Sequence, residues 1–162
     1  MADESLLDGK KILLVDDEPD VLDTLEDLLA MCEVVKCTNF KAAKDYMETR
    51  YFDMAVLDIM GVEGYALLDL AVGRNITAVM LTAHALSPEN VVRSYKEGAA
   101  AYLPKEEMIH IESFLVDILK AKEEGKNPWT SWYSRMASFF EKKFGPNWQK
   151  NEEEFWEKFP FY

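Results

Sequence analysis

Cysteine is scarce in this chain of 162 residues: there are two, Cys32 and Cys37. They flank the apolar pair Val34-Val35, and no second pair exists to complete a four-ligand metal site. Two reduced, buried thiols are the expectation. Long hydrophobic runs are missing too, since none reaches the roughly 18 residues of a membrane-spanning helix. The opening stretch MADESLLDGKK is acidic and carries no hydrophobic segment of the secretory type. A cytoplasmic protein with no transmembrane segment is therefore expected. Positive charge is also short. Against 30 Asp and Glu stand 18 Lys and Arg, a net charge of -12, which disfavours direct binding to the phosphates of nucleic acid. What is present suits a folded domain: 49% hydrophobic and 30% charged residues, enough for one well-buried core and a small appendage.

The first 125 residues alternate between two periodicities. Lys11-Ile-Leu-Leu-Val15 is a continuous apolar run ending in acids, the pattern of a strand buried on both faces. Pro19 then suits a first helical turn, and Val21, Leu22, Leu25, Leu28 and Leu29 keep helical spacing. Glu33 to Cys37 reads as a second strand, with Thr38 or Asn39 capping a helix that carries Phe40, Ala43, Tyr46 and Met47. A third strand, Met54 to Leu57, ends at Asp58. The loop Gly61-Val-Glu-Gly64 leads to a helical face of Tyr65, Leu67, Leu68 and Ala71. Strand four, Ala78 to Leu81, runs into Thr82. Ser87-Pro88-Glu89 opens a capped helix with Val91, Val92 and Tyr95, stopped at Gly98. Strand five, Ala100 to Leu103, precedes Pro104-Lys105 and a long amphipathic helix carrying Met108, Ile109, Ile111, Phe114, Leu115, Ile118 and Leu119. Five such alternations with short links predict an α/β fold, a doubly wound five-stranded parallel sheet.

In such sheets ligands bind at the carboxyl ends of the strands. Four strands end in polar residues able to act there: Asp16 and Asp17, Asp58, Thr82, and Lys105 just past the fifth. Three carboxylates brought together repel one another unless a cation joins them. A hard, oxygen-seeking ion is the natural partner, and Mg²⁺ is usual where phosphate is the co-ligand. Asp58 can then act as a nucleophile toward a phosphoryl donor, while the Lys105 ammonium and the Thr82 hydroxyl take phosphoryl oxygens. Taken singly, each residue has a plainer role: helix cap, solvated lysine, strand threonine. Their joint placement on successive strand ends is what points to chemistry.

The segments LLVDDE at Leu13–Glu18, VLDIM at Val56–Met60, MLTAHA at Met80–Ala85 and GAAAYLPK at Gly98–Lys105 resemble the receiver domain of two-component response regulators (CheY-like). The resemblance implies a (βα)5 flavodoxin-like receiver domain over residues 8–124, with Asp58 as the phosphoacceptor. Asp17 matches the direct Mg²⁺ ligand, Asp16 a neighbour acting partly through water, and the Met60 backbone carbonyl supplies a further ligand beside Asp58. Thr82 matches the switch hydroxyl, Tyr102 the switch aromatic and Lys105 the family's lysine. A histidine kinase or phosphotransfer protein is the implied donor. Movement of Thr82 and Tyr102 would then remodel the face made by helix 4, strand 5 and helix 5. The chain departs from the family in two places. The loop Asp58-Ile-Met-Gly-Val-Glu-Gly64 is shorter and lacks the usual proline, which bears on phosphoryl lifetime, and Glu106 follows Lys105 where proline is frequent. His84 and Met60 lie at positions whose side chains tune attack of water on the acyl phosphate in the family.

Composition changes after Gly125-Lys-Asn-Pro128. The last 37 residues hold 12 of the 20 aromatics and all four tryptophans, at a net charge of +1. Residues 125–162 are expected to form a helical extension, with one amphipathic helix over Trp129 to Phe140, a break at Gly145-Pro146-Asn147, and another over Gln149 to Phe159. Two such helices need a surface to cover. The receiver itself, a second copy (a homodimer through the extension or through the helix 4–strand 5–helix 5 face), an unknown protein target and a membrane surface all stay open. Two rival functions remain beside phosphorelay signalling: a phosphorylation-independent interaction module, and an α/β phosphatase with an aspartyl nucleophile. The adjacent pair Asp16-Asp17, in place of Asp-x-Asp, speaks against the phosphatase.

Overall fold

The computed structural model describes residues 6–83 and 86–159. Five strands form one sheet: β1 (Lys11–Val15), β2 (Glu33–Cys37), β3 (Met54–Asp58), β4 (Thr77–Thr82) and β5 (Ala101–Pro104). All neighbours are parallel, in the order β2-β1-β3-β4-β5. This is the expected doubly wound α/β fold. The central strand β3 is buried along its whole length, and β1 and β4 are buried beyond Lys11 and Thr77, as their apolar runs require. The order reverses between β1 and β3, so the crevice at their carboxyl ends is the natural ligand site.

Helices α1 (Pro19–Leu28), α2 (Phe40–Thr49), α3 (Gly64–Gly73), α4 (Pro88–Lys96) and α5 (Ile111–Glu123) follow the strands in turn. Their starts are written locally. Asn39 Oδ1 accepts the Ala42 N–H at 2.8 Å and Ser87 Oγ accepts the Asn90 N–H at 3.1 Å, while Pro19 and Pro88 open their helices. The last alternation differs from the expectation. Lys105–His110 is a 3₁₀ segment, and α5 begins only at Ile111. Three residues per turn take Ile109 off the apolar stripe, and it is 68% exposed.

Two further helices, α6 (Trp129–Phe144) and α7 (Glu153–Lys158), are separated by Gly145, Pro146 and a 3₁₀ turn at Lys150–Glu152. Trp129, Trp132, Met136 and Phe140 form the buried face of α6, and Phe155 and Phe159 are buried beside it. These side chains join the same apolar core as the sheet. The extension packs on its own receiver.

Replacing Asn39 with Ala is expected to lower stability by about 1 kcal/mol, seen as a lower urea midpoint with an unchanged slope.

Candidate functional site

The carboxyl ends of β1, β3, β4 and β5 converge on one pocket. Asp16 follows β1 directly, and its side chain is wholly buried. Its Oδ1 accepts the Glu18 backbone N–H at 2.9 Å. Its Oδ2 is buried with no hydrogen-bond partner, and its neighbour is the Lys105 ammonium at 2.9 Å, an ion-pair contact without hydrogen-bond alignment. Asp58, the last residue of β3, is nearly as buried, with Oδ1 3.5 Å from Lys105 Nζ. Thr82 closes β4 and is buried beside these groups in the sheet, since Asp58 pairs in register with Leu81. Lys105 therefore reaches both buried carboxylates from beyond β5.

The electrostatics follow from burial. Desolvation pushes the Asp58 carboxyl up to about 6; the charge of Asp16 adds to this, Lys105 opposes it, and Asp17 adds a smaller push. Asp16 is also raised, again first by burial. For Lys105 burial works against the charge, but Glu18, Asp16 and Asp58 outweigh it and hold the ammonium above its ordinary value.

The loop after Asp58 is drawn tightly over the pocket. A β-carbon at Gly64 would overlap the Asp58 carbonyl oxygen, so that position requires glycine, while one at Gly61 would displace the Asp17 carboxylate. Glu63 between them adopts the left-handed region at φ 55°. The Gly64 N–H donates to the Ile59 carbonyl at 3.0 Å, closing the turn. Met60 points its side chain outward, 55% exposed, and its carbonyl accepts the Glu63 N–H at 3.3 Å. Tyr102 on β5 is fully buried, with its hydroxyl accepting the Ser87 N–H at 3.1 Å. His84 lies outside the described residues.

Asp16, Asp58 and Lys105 are thus in contact, with Thr82 at the adjacent strand end and Asp17 against the Gly61 backbone. One participant has no role assigned from sequence. The Glu18 carboxylate takes the Lys105 ammonium at 2.9 Å, and Glu18 joins Asp16 and Asp17 in a cluster whose ligand atoms lie within 4.8 Å of one another. The only local signal was a third acid directly after the pair. Both thiols are free, but only Cys37 is buried as expected, Cys32 being half-buried just before β2. Desolvation is the first cause pushing both up to about 11, and the Cys37 carbonyl accepts the Asp16 N–H at 3.1 Å.

A five-stranded sheet in this order, with an acidic pocket at the reversal point and a lysine reaching into it, defines a receiver of the CheY-like kind. The chain belongs to the response regulator receiver domain family, whose sequence model matches residues 12–113. It is 31% identical over 130 residues to the two-component response regulator ARR12 of Arabidopsis thaliana, covering 74% of this chain and 22% of that one. It is also 31% identical over 104 residues to the two-component response regulator ORR24 of Oryza sativa subsp. japonica, covering 60% and 16%. The chain spans less than a quarter of these relatives' own length. Among solved structures, a CheY-like receiver domain protein from Methanospirillum hungatei JF-1 superposes with a TM-score of 0.60 at 27% identity, over 70% of this chain and 98% of that one. The family model spans the sheet, its first four helices and the start of α5, which is also the part of the chain that carries the site.

The raised Asp58 gives a signed prediction. The folded state keeps that proton up to about pH 6, whereas the unfolded chain loses it near 3.8. Between these values the folded state binds more protons, so rising pH lowers stability there. In EDTA, Asp58→Asn is expected to stabilise the protein at pH 7 by on the order of 2 kcal/mol. That gain should fade as pH falls from 6 toward 4 in urea titrations.

Proposed function

We propose that the chain receives a phosphoryl group on Asp58 from a histidine kinase or phosphotransfer protein and signals through protein contacts. The observation that carries this reading is the buried Asp58 carboxylate sharing the Lys105 ammonium with Asp16 at the switch point of the sheet. The donor set suits a hard cation. Asp16 Oδ2 is a buried oxygen lacking a hydrogen-bond partner, and Asp17 supplies a second carboxylate beside it. Asp16, Asp17, Asp58 and the Met60 carbonyl would hold Mg²⁺. When bound, the ion offsets charge on the phosphoryl oxygens.

The protein's own residues do the rest. An Asp58 carboxylate oxygen forms the new bond to phosphorus as the bond from phosphorus to the donor's imidazole nitrogen breaks, leaving an acyl phosphate and a free imidazole. Lys105 exchanges its pairing with Glu18 for a phosphoryl oxygen, and Thr82 offers its hydroxyl to another. The partial compensation of Asp58 keeps one carboxylate oxygen available as nucleophile. Small-molecule donors serve the same step, acetate leaving in place of imidazole.

Incubation with acetyl phosphate and Mg²⁺ is expected to add one phosphoryl mass, abolished by Asp58→Asn and by EDTA. Lys105→Met is expected to slow the addition by about 10²-fold. Gly61→Ala, which pushes the Asp17 carboxylate aside, is expected to weaken Mg²⁺ binding by about 10-fold in calorimetry. A folded protein that gains no mass would favour the phosphorylation-independent interaction module, for which the pairing of Lys105 with Glu18 and the short loop supply the motive.

A further inference from the structure

The aromatic extension does not pack at random on the receiver. It straddles α4, β5 and α5. On β5, the Trp132 indole N–H donates to the Tyr102 carbonyl at 2.6 Å, and just before it the Trp129 indole N–H donates to the Ala99 carbonyl at 2.9 Å. On α4, the Tyr95 ring is enclosed by Trp129 at 5.4 Å and by Phe155 and Phe159 at 5.3 Å each, and the Lys96 ammonium sits over Phe155. On α5, Arg135 pairs with Asp117 at 2.8 Å, donates to Ser113 Oγ at 2.8 Å and lies over the Phe114 ring. Lys143 reaches back to Glu106 at 2.9 Å. Buried indole N–H groups with partners and paired aromatic rings are contacts of a folded interior.

This footprint centres on Tyr102. The ring has no exposed surface and lies 6.1 Å from Phe140, while its carbonyl holds Trp132 and its hydroxyl holds Ser87. Ser87 caps α4 through Asn90, and Asn90 Oδ1 in turn accepts the Tyr65 hydroxyl proton at 2.8 Å. Thr82 lies one short connection upstream of Ser87. The hydrogen-bonded chain thus runs from a tryptophan of the extension through Tyr102 to Ser87, which follows Thr82 by five residues in the sequence.

We propose that the C-terminal segment is a tethered occupant of the surface formed by α4, β5 and α5, and that phosphorylation of Asp58 loosens it through Tyr102. The proposal rests on the reading of Asp58 given above. The docked segment fits the arrangement in which the Tyr102 hydroxyl is tied to Ser87 and the Lys105 ammonium to Glu18. A phosphoryl group on Asp58 draws Thr82 and Lys105 to itself. The Ser87–Tyr102 link is then strained, and a buried ring packed against Phe140, on a residue whose carbonyl holds Trp132, cannot move without disturbing both. Release of the segment uncovers the apolar surface of α4, β5 and α5 together with the aromatic face of α6. Because linkage is reciprocal, the docked segment weakens binding at Asp58 by the same factor that occupancy of Asp58 weakens docking.

All four tryptophans lie in the extension, so tryptophan emission, excited selectively over tyrosine, reports on it alone. The full-length protein is treated with Mg²⁺ and acetyl phosphate, the phosphoryl mass on Asp58 is measured, and emission, acrylamide quenching and amide exchange across residues 129–159 are followed in the same sample. A red-shifted emission, stronger quenching and faster exchange are expected in step with the mass, and none of these in Asp58→Asn. Phosphoryl mass with an unchanged extension overturns the coupling and leaves the Asp58 reading intact. Absence of phosphoryl mass overturns both.

A second measurement runs the linkage backwards at equilibrium. Trp132→Phe keeps an aromatic ring but loses the indole donor, and Arg135→Ala releases a half-exposed tie to α5. Each is expected to tighten binding of beryllofluoride with Mg²⁺ by about 5-fold or more in calorimetry. Equal or weaker binding in both variants overturns the coupling.

Discussion

Two carboxylates buried against a single ammonium is the arrangement on which the rest of this molecule depends. Asp16 and Asp58 are withdrawn from water at adjacent strand ends, and Lys105 is the cation within reach of both. Burial of charge is costly unless it is fully paired, and here the pairing is incomplete, as the raised carboxyls and the unbonded Asp16 oxygen record. The surrounding structure is shaped to tolerate this. The sheet order sets the ends of β1 and β3 side by side, two glycines let the loop close over Asp17 and Asp58, and Glu63 accepts a left-handed backbone to complete the turn. A pocket held short of electrostatic balance answers any ligand that restores it, and its lysine is the group that must be re-partnered when that happens.

The strands and the positions at their ends were legible in the sequence because both are local. A run such as Leu13-Leu-Val15 followed by acids states a buried strand and a polar terminus in adjacent residues, and the same holds for Asp58 and Thr82. Caps at Asn39 and Ser87 were legible for the same reason. The pairing of Glu18 with Lys105 was not, since it joins side chains 87 residues apart in the sequence and depends on which of three acids the ammonium meets. The 3₁₀ start after Lys105 also escaped the pattern, because Met108 and Ile109 mimic a helical stripe. The surface covered by the extension could not be chosen from composition. An apolar face says that something is covered, and only the indole donors and the Arg135–Asp117 pair say what.

The extension alters what the family fold offers to partners. In a bare receiver the α4, β5 and α5 surface is open to other molecules, whereas here aromatic side chains from the same chain fill it. An intramolecular ligand of this kind has an effective concentration set by its linker, and the linker is short, with α5 ending at Glu123 and α6 starting at Trp129. A competing partner must therefore outbind a ligand that never diffuses away. That requirement raises the selectivity of the surface without changing the residues on it.

The placement of β5 carries one more consequence. An edge strand presents main-chain groups to which foreign strands can add, and folds of this type have two such edges. On one of them two indoles of α6 bond to carbonyls at Ala99, just before β5, and at Tyr102, so the extension stands in the way of strand addition there. The opposite edge, β2, is left to guard itself with charge: Glu33 and Lys36 stand exposed along its five residues, and Lys36 is fixed by Asp23 and Glu26. Loosening the extension would therefore turn a sheet with one open margin into a sheet with two, and chains in that condition would be the ones prone to assemble edge to edge.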